Sequence, residues 1–136
     1  MIRPLVFALV LALSATGAWA DGWSDCNQYK DLDRQIRGCT SVIERGEEET
    51  RKNRAIAYTN RGTAYYEKGD YDRAIADSTK AIALDPNYAA AYTNRGNSYY
   101  LKGEVDRAIA DYTKAIAIDP NFVHAYALRV FRLEDN

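Results

Sequence analysis

The chain contains one internal repeat, and this repetition constrains the fold more than any other feature. Residues 55–88 and 89–122 align without a gap at a period of 34, differ at nine positions and are identical at 25. Tandem units of about 20 to 50 residues are typical of proteins in which short structural units stack on one another. The sequence therefore predicts an array of stacked units.

The first half of each unit is predicted to be a helix. In residues 55–68, Tyr58, Gly62 and Tyr65 recur at i, i+4 and i+7, which is one stripe of a 3.6-residue helix. Gly69 then ends the helix, because glycine commonly follows a helix C-terminus.

The second half is predicted to be another helix that packs back on the first. Asp70 can cap its start, and Pro86 ends it because proline lacks an amide hydrogen and disfavours helix in the preceding residue. Its small and apolar residues keep the helical period: Ala74, Ile75, Ser78, Ala81 and Ile82. Since Gly62 and Ala74 leave little side chain between the two helices, we expect their backbones to approach closely.

These repeated positions resemble the tetratricopeptide repeat. They are Tyr58, Gly62, Tyr65, Ala74, Ala81 and Pro86, and 34 residues later Tyr92, Gly96, Tyr99, Ala108, Ala115 and Pro120. The resemblance covers residues 55–122 and implies an all-α fold, a right-handed α-solenoid of helix hairpins. One departure is Ser78, where the family prefers a large aromatic residue and the second unit has Tyr112. We expect looser packing in the first unit.

The flanking segments are predicted to cap this array. Residues 21–54 form a degenerate N-terminal capping segment, in which residues 36–43 align with residues 75–82 at an offset of 39. Residues 123–136 continue the register of a first helix, but Val130 stands where both repeats have glycine. A bulky residue there leaves no room for a partner helix, so this segment is predicted to be a single closing helix.

The first twenty residues have the pattern of a secretory signal peptide. Arg3 gives a basic start, residues 4–20 carry no charge, and the ending Ala18-Trp19-Ala20 matches an Ala-x-Ala cleavage site. The sequence therefore predicts removal of residues 1–20 and a secreted or periplasmic protein that begins at Asp21, without stable membrane insertion. An uncleaved membrane anchor is the alternative, although a spanning helix needs about 20 apolar residues.

Two cysteines lie thirteen residues apart in the N-terminal cap, at Cys26 and Cys39. Export to an oxidising compartment favours a disulfide between them. The alternative is two unpaired thiols, with Cys39 buried as a small apolar residue. The spacing fits neither a Cys-x-x-Cys redox pair nor a four-ligand zinc site.

The chain offers little for catalysis or for cofactor binding. His124 is the one histidine, and the sequence has no phosphate-binding glycine loop and no His-Glu-x-x-His motif. Without residues 1–20 the formal charge is −2, from 17 basic and 19 acidic side chains, so there is no dense basic surface for nucleic acid. We expect no enzyme activity, no cofactor, no metal and no nucleic-acid partner.

The remaining function class is binding of another polypeptide. A rotation of 100° per residue from Tyr58 separates a core side of the first helices from an opposite side. In tetratricopeptide repeat proteins this opposite side lines a concave groove that takes up peptides. The resemblance therefore implies a peptide-binding groove at Asn60, Thr63, Glu67, Thr93, Asn94, Asn97, Leu101 and His124. Asn60 and Asn94 are the best candidates, because one amide offers both a donor and an acceptor to a peptide backbone. The alternative is a merely solvated face.

The resemblance also bears on whether the groove binds the terminal carboxylate of a peptide. The family's better-known groove clamps a terminal carboxylate with lysine and arginine, but here Thr59 and Leu128 occupy matching places and only Asn94 fits. We therefore expect no carboxylate clamp. The predicted function is a non-catalytic adaptor or assembly factor of the cell envelope that binds a partner protein or peptide. The alternative is a self-associating structural module, a homo-oligomer formed through Tyr66, Tyr100, Leu101, Val105 and Phe131.

Overall fold

The computed structural model describes residues 22–121, which are built from helices joined by short turns. The helices are α1 (Leu32–Glu44), α2 (Arg51–Glu67), α3 (Tyr71–Leu84), α4 (Ala89–Leu101) and α5 (Val105–Ile118). Residues 22–26 are also helical, and a short 3-10 turn, Gly46–Glu48, lies between α1 and α2. The predicted signal peptide and the predicted closing helix at residues 123–136 lie outside the described residues.

The helices stack in the order of the chain. Each of α1 to α4 contacts the helix that follows it, and α2 also contacts α4. In each repeat the first helix (α2 or α4) and the second helix (α3 or α5) form a hairpin, and the first helices of the two repeats lie side by side. The prediction of an all-α solenoid of helix hairpins is confirmed for this part of the chain.

The ends of the helices follow local chemistry. Gly69 has φ of 78° just after α2, a conformation that glycine adopts without strain. Asp70 caps α3, since its Oδ1 accepts a hydrogen bond from the backbone amide of Arg73 at 3.2 Å. The helix α2 begins at Arg51, ahead of the repeat boundary, because the Thr50 hydroxyl oxygen caps it by accepting from a backbone amide.

Glycines let the two helices of each hairpin approach closely. A Cβ added to Gly62 would lie 3.3 Å from the Ala74 carbonyl oxygen, whereas one added to Gly96 would lie 2.9 Å from the Tyr112 ring. The first repeat has Ser78 in place of that ring, and the buried Ser78 hydroxyl has no hydrogen-bond partner within residues 22–121. The packing at this position is therefore looser in the first repeat, in agreement with the expectation from the sequence.

One arginine in each repeat joins three helices. The Arg61 Nε and Nη2 atoms donate to the two carboxylate oxygens of Asp77, each at 2.8 Å, and its Nη1 donates to the Thr40 hydroxyl at 3.0 Å. The second repeat has the same arrangement with Arg95, Asp111 and Thr79. Arg61 and Arg95 therefore each bind the second helix of their own repeat and the second helix of the preceding unit.

The N-terminal cap is held by contacts that include a disulfide and a hydrogen bond from an indole. A disulfide joins Cys26 and Cys39, as the sequence predicts, and both residues are fully buried. The Trp23 indole donates to the Glu49 carboxylate at 3.1 Å. Residues 22–26 are thereby held against α1 and against the turn that precedes α2.

Candidate peptide-binding groove

The predicted groove residues lie on the first helices of the two repeats. Asn60, Thr63 and Glu67 are on α2, and Thr93, Asn94, Asn97 and Leu101 are on α4. Because α2 and α4 contact each other, the two sets are adjacent. His124 lies outside the described residues.

The Asn60 side chain is already bonded within the protein. Its Nδ2 donates to Asn27 Oδ1 at 3.0 Å and to the Cys26 carbonyl oxygen at 3.4 Å. The expectation that both halves of this amide are available to a ligand is therefore wrong, because the donor fastens α2 to the N-terminal segment. The Asn60 Oδ1 atom, by contrast, accepts no hydrogen bond from residues 22–121.

Asn94 makes the corresponding bond one repeat later. Its Nδ2 donates to the Thr63 hydroxyl oxygen at 2.8 Å, and that hydroxyl donates in turn to the Thr59 carbonyl at 3.0 Å. The amide donor of Asn94 thus bridges α4 to α2. Its Oδ1 accepts no hydrogen bond from the part of the chain that the structure describes.

Thr93 does not line an open groove, so its assignment is corrected. The residue is 3% exposed, and its hydroxyl donates to the Ala89 carbonyl at 3.1 Å. Thr59, its equivalent in the first repeat, is 4% exposed with the same bond to the Ala55 carbonyl. A helical wheel locates a face of one helix, but it does not show which part of that face a neighbouring helix covers.

Asn97 is held in place by a tyrosine that the sequence reasoning did not connect with it. The Tyr112 hydroxyl donates to Asn97 Oδ1 at 2.5 Å. Burial raises the pKa of Tyr112, and the nearby Tyr66 and Tyr100 add to the effect, so this tyrosine remains a neutral donor. The Nδ2 of Asn97 donates to no residue within 22–121, so both of its N–H groups are available to a ligand.

The end of the groove carries Glu67 and Leu101, and both are exposed. The lysine that follows each of them is engaged elsewhere. Lys68 pairs with the Asp33 carboxylate, and Lys102 pairs with Asp72 at 2.6 Å and with Glu104 at 3.4 Å. The groove residues on α2 and α4 include no lysine or arginine, and the expectation that this is not a carboxylate clamp stays a prediction. Of the two clamp positions, Thr59 is buried, and Leu128 lies outside the described residues.

The surface predicted for self-association is only partly apolar and exposed. Leu101 is 48% exposed, whereas Tyr66, Tyr100 and Val105 are half-buried. The Tyr66 ring packs on the Tyr71 ring with centroids 5.8 Å apart. Phe131 lies outside the described residues.

Residues 22–121 show neither a membrane-spanning helix nor a cluster of metal ligands. No helix there is long and apolar enough to cross a membrane. The same residues contain no group of three or more His, Cys, Asp or Glu side chains that could hold a metal ion.

Two family models match the chain. Residues 62–103 match a model described as TPR repeat, and residues 89–122 match one described as tetratricopeptide repeat. No curated protein matches the sequence.

Several solved structures share this fold. The first TPR of Spaghetti (RPAP3) bound to HSP90 peptide SRMEEVD has a TM-score of 0.71 and 22% identity, covering 91% of this chain and 95% of that one. The TPR2B domain of yeast Sti1, in a complex with pHsp70, has a TM-score of 0.66 and 25% identity over 90% and 94% of the two chains. MamA has a TM-score of 0.66 and 27% identity over 88% of this chain and 68% of that one.

Proposed function

We propose that this chain, a tetratricopeptide repeat protein, is a non-catalytic adaptor or assembly factor of the cell envelope. In this proposal the groove formed by α2 and α4 binds an extended segment of a partner polypeptide. The observation that carries the proposal is the set of amide atoms left unbonded on one face, the Oδ1 atoms of Asn60 and Asn94 and the Nδ2 of Asn97. An extended backbone presents both amide donors and carbonyl acceptors, so it can use atoms of both kinds.

Structures of the same fold support a polypeptide ligand. The Spaghetti domain is bound to an HSP90 peptide, and the yeast Sti1 domain is in a complex with pHsp70. These relatives make a peptide the first class of ligand to test.

The cell-envelope part of the proposal rests on two observations. Residues 1–20 have the pattern of a signal peptide, and the Cys26–Cys39 disulfide suits an oxidising compartment. N-terminal sequencing of the protein from fractionated cells is expected to begin at Asp21. Material that retains Met1 and sediments with membranes would contradict export with cleavage.

The groove is tested with substitutions of its two accessible amides on α4. Cross-linking in cells followed by mass spectrometry would first identify a partner, and its dissociation constant would then be measured for each variant. A net hydrogen bond is worth about 0.5–1.5 kcal/mol, so Asn94→Ala together with Asn97→Ala is expected to weaken binding roughly tenfold or more. Lys80→Ala, an exposed position on α3, is the control and should bind normally.

Asn60→Ala is a less clean probe than the sequence alone suggests. That substitution also removes the bonds to Asn27 and Cys26, as the α4 substitutions remove those to Thr63 and Tyr112. Thermal unfolding of each variant should therefore be measured beside its affinity. Unchanged binding in the α4 double variant, combined with a loss in Lys80→Ala, would place the site on the side formed by the second helices.

The alternative, self-association, is favoured by one observation, the exposed Leu101 side chain. Light scattering on the purified protein would detect a homo-oligomer directly. A dimer that Leu101→Ser converts to monomer would support this alternative, whereas a monomer at high concentration would count against it.

A further inference from the structure

One acidic residue, Glu67, and one apolar residue, Leu101, lie at the same end of the groove. They are the last residues of α2 and α4, they stand 34 residues apart at equivalent positions of the two repeats, and these two helices contact each other. Packed helices have axes about 8–10 Å apart. A carboxylate and an isobutyl group are therefore carried at the same end of two adjacent helices.

Both side chains are accessible and lack partners. Leu101 is 48% exposed and is one of two large hydrophobic residues classed as exposed within residues 22–121, the other being Tyr29. Glu67 is exposed and has no hydrogen bond or ion pair with any residue of the described range. Within the described range Glu67 therefore has no polar partner, and about half of Leu101 is open to solvent.

The lysines that follow Glu67 and Leu101 in the chain form no ion pair with Glu67, because each pairs with a carboxylate of the preceding unit. Lys68 pairs with Asp33 of α1, and Lys102 pairs with Asp72 of α3. Hydrogen bonding to Asp72 raises the pKa of Lys102, so this lysine remains charged and paired. Glu67 is left as an uncompensated negative charge beside an exposed apolar group.

We propose that this end of the groove binds a lysine or arginine side chain of the partner polypeptide. The cationic group lies at the Glu67 carboxylate, and the aliphatic stem lies on Leu101. Lysine and arginine combine an apolar stem with a charged head, which matches the two neighbouring groups, while an acidic side chain would meet like charge. This inference rests on the proposed peptide-binding function and specifies the class of ligand.

The test uses a displayed library of random twelve-residue peptides, selected on the full, oxidised protein. Selected peptides are expected to be enriched in lysine or arginine. They should bind Glu67→Lys at least roughly tenfold more weakly, because like charges across an interface are strongly unfavourable. Glu48→Lys, an exposed position on the 3-10 turn, makes the same charge change away from the groove and should leave binding unchanged.

A charge exchange provides the second arm. A selected peptide in which the basic residue is replaced by glutamate should bind the original protein poorly and recover affinity on Glu67→Lys. Leu101→Ser should weaken the original peptide without changing its preference for a basic residue.

The outcomes separate this inference from the function on which it rests. Peptides that depend on Asn97 but show no preference for basic residues would overturn the inference and leave a peptide-binding groove. Selection of no peptide that depends on Asn97 would overturn both.

Discussion

The Asp77 carboxylate accepts hydrogen bonds from two nitrogens of the Arg61 guanidinium, with Nε–Oδ2 and Nη2–Oδ1 both at 2.8 Å. The Asp77 side chain is 8% exposed, and the Arg61 side chain is 18% exposed. Hydrogen bonding to Asp77 raises the pKa of Arg61 although burial opposes the shift. Bidentate arginine–carboxylate pairs are among the strongest ionic contacts in proteins, and this one fixes the angle between the helices of a hairpin.

Removal of one member of this pair is expected to be costly. Asp77→Ala leaves a largely buried guanidinium without its carboxylate, and breaking a buried pair typically lowers the free energy of unfolding by about 3–5 kcal/mol. Urea unfolding of the variant would measure the loss. The matched control is Asp72→Ala, which breaks the exposed pair with Lys102 and should cost about 0–1 kcal/mol. Equal losses in the two variants would show that Asp77 has no special structural role.

The two hairpin glycines are expected to differ in their tolerance of a methyl group. Gly96→Ala brings a Cβ to 2.9 Å from the buried Tyr112 ring, and such overpacking costs about 1–3 kcal/mol. Gly62→Ala meets nothing closer than 3.3 Å, and the better helix propensity of alanine, about 1 kcal/mol, offsets part of that contact. Thermal unfolding should therefore show a larger loss for Gly96→Ala. A larger loss for Gly62→Ala would contradict the difference in packing between the repeats.

Glu49 should make the stability of the N-terminal cap depend on pH. Burial acts to raise its pKa, but hydrogen bonds from Asn53, Trp23 and the Thr50 amide, with the charge of Arg45, lower it below its usual 4.5. Because the folded pKa lies below the unfolded one, this contribution is fully present above pH 4.5 and is lost as the pH falls through the folded pKa.

Unfolding experiments between neutral pH and pH 3 would reveal this contribution. Glu49→Gln should be less stable than the original protein at neutral pH, and the difference should shrink as the solution is acidified. Glu48→Gln, at a neighbouring exposed residue, serves as the control. A constant difference across the range would argue against titration of Glu49.

Reduction of the Cys26–Cys39 disulfide is expected to loosen the N-terminal cap. The bridge closes a loop with a sequence separation of 13, for which chain entropy predicts a stabilisation of about 3 kcal/mol. Unfolding with and without reductant would measure it, and a Cys26→Ala, Cys39→Ala variant should not respond to reductant. Thiol labelling of the denatured, unreduced protein should find no free cysteine. Two labels per chain would show that the bridge is absent.

The features that the sequence predicts well are those set by local chemistry or by the repeat period. The glycine at position 69 ends a helix, Asp70 caps the next one, and the 34-residue period sets which helices lie side by side. The Cys26–Cys39 bridge was also predicted, because the signal-peptide pattern of residues 1–20 favours a disulfide between the two cysteines of the chain. Each of these inferences needs only a short stretch of the chain or its comparison with the next repeat.

The groove was predicted less well, because its chemistry depends on contacts between helices. Asn94 and Thr63 lie 31 residues apart, so a pattern along one helix cannot show that the hydroxyl of one occupies the amide of the other. The pairing of Arg61 with Asp77 was not predicted for the same reason, because the two residues lie on different helices. The sequence did contain one signal for this ion pair, since the two repeats have identical residues at both of its positions. Polar residues that recur on the core side of each repeat are candidates for bonds with each other.

The bonds of each arginine also bear on how a protein of this kind can grow. Arg95 bonds to Asp111 within its own repeat and to Thr79 in the preceding one. Each repeat therefore carries both the arginine that bonds to the preceding unit and the threonine that accepts from the following one. A duplicated copy of residues 55–88 inserted after residue 88 would offer its arginine to Thr79 and its own threonine to Arg95, and no surface would need to be redesigned. Duplication of one gene segment can therefore lengthen the molecule, and the reach of its groove, in steps of a single repeat.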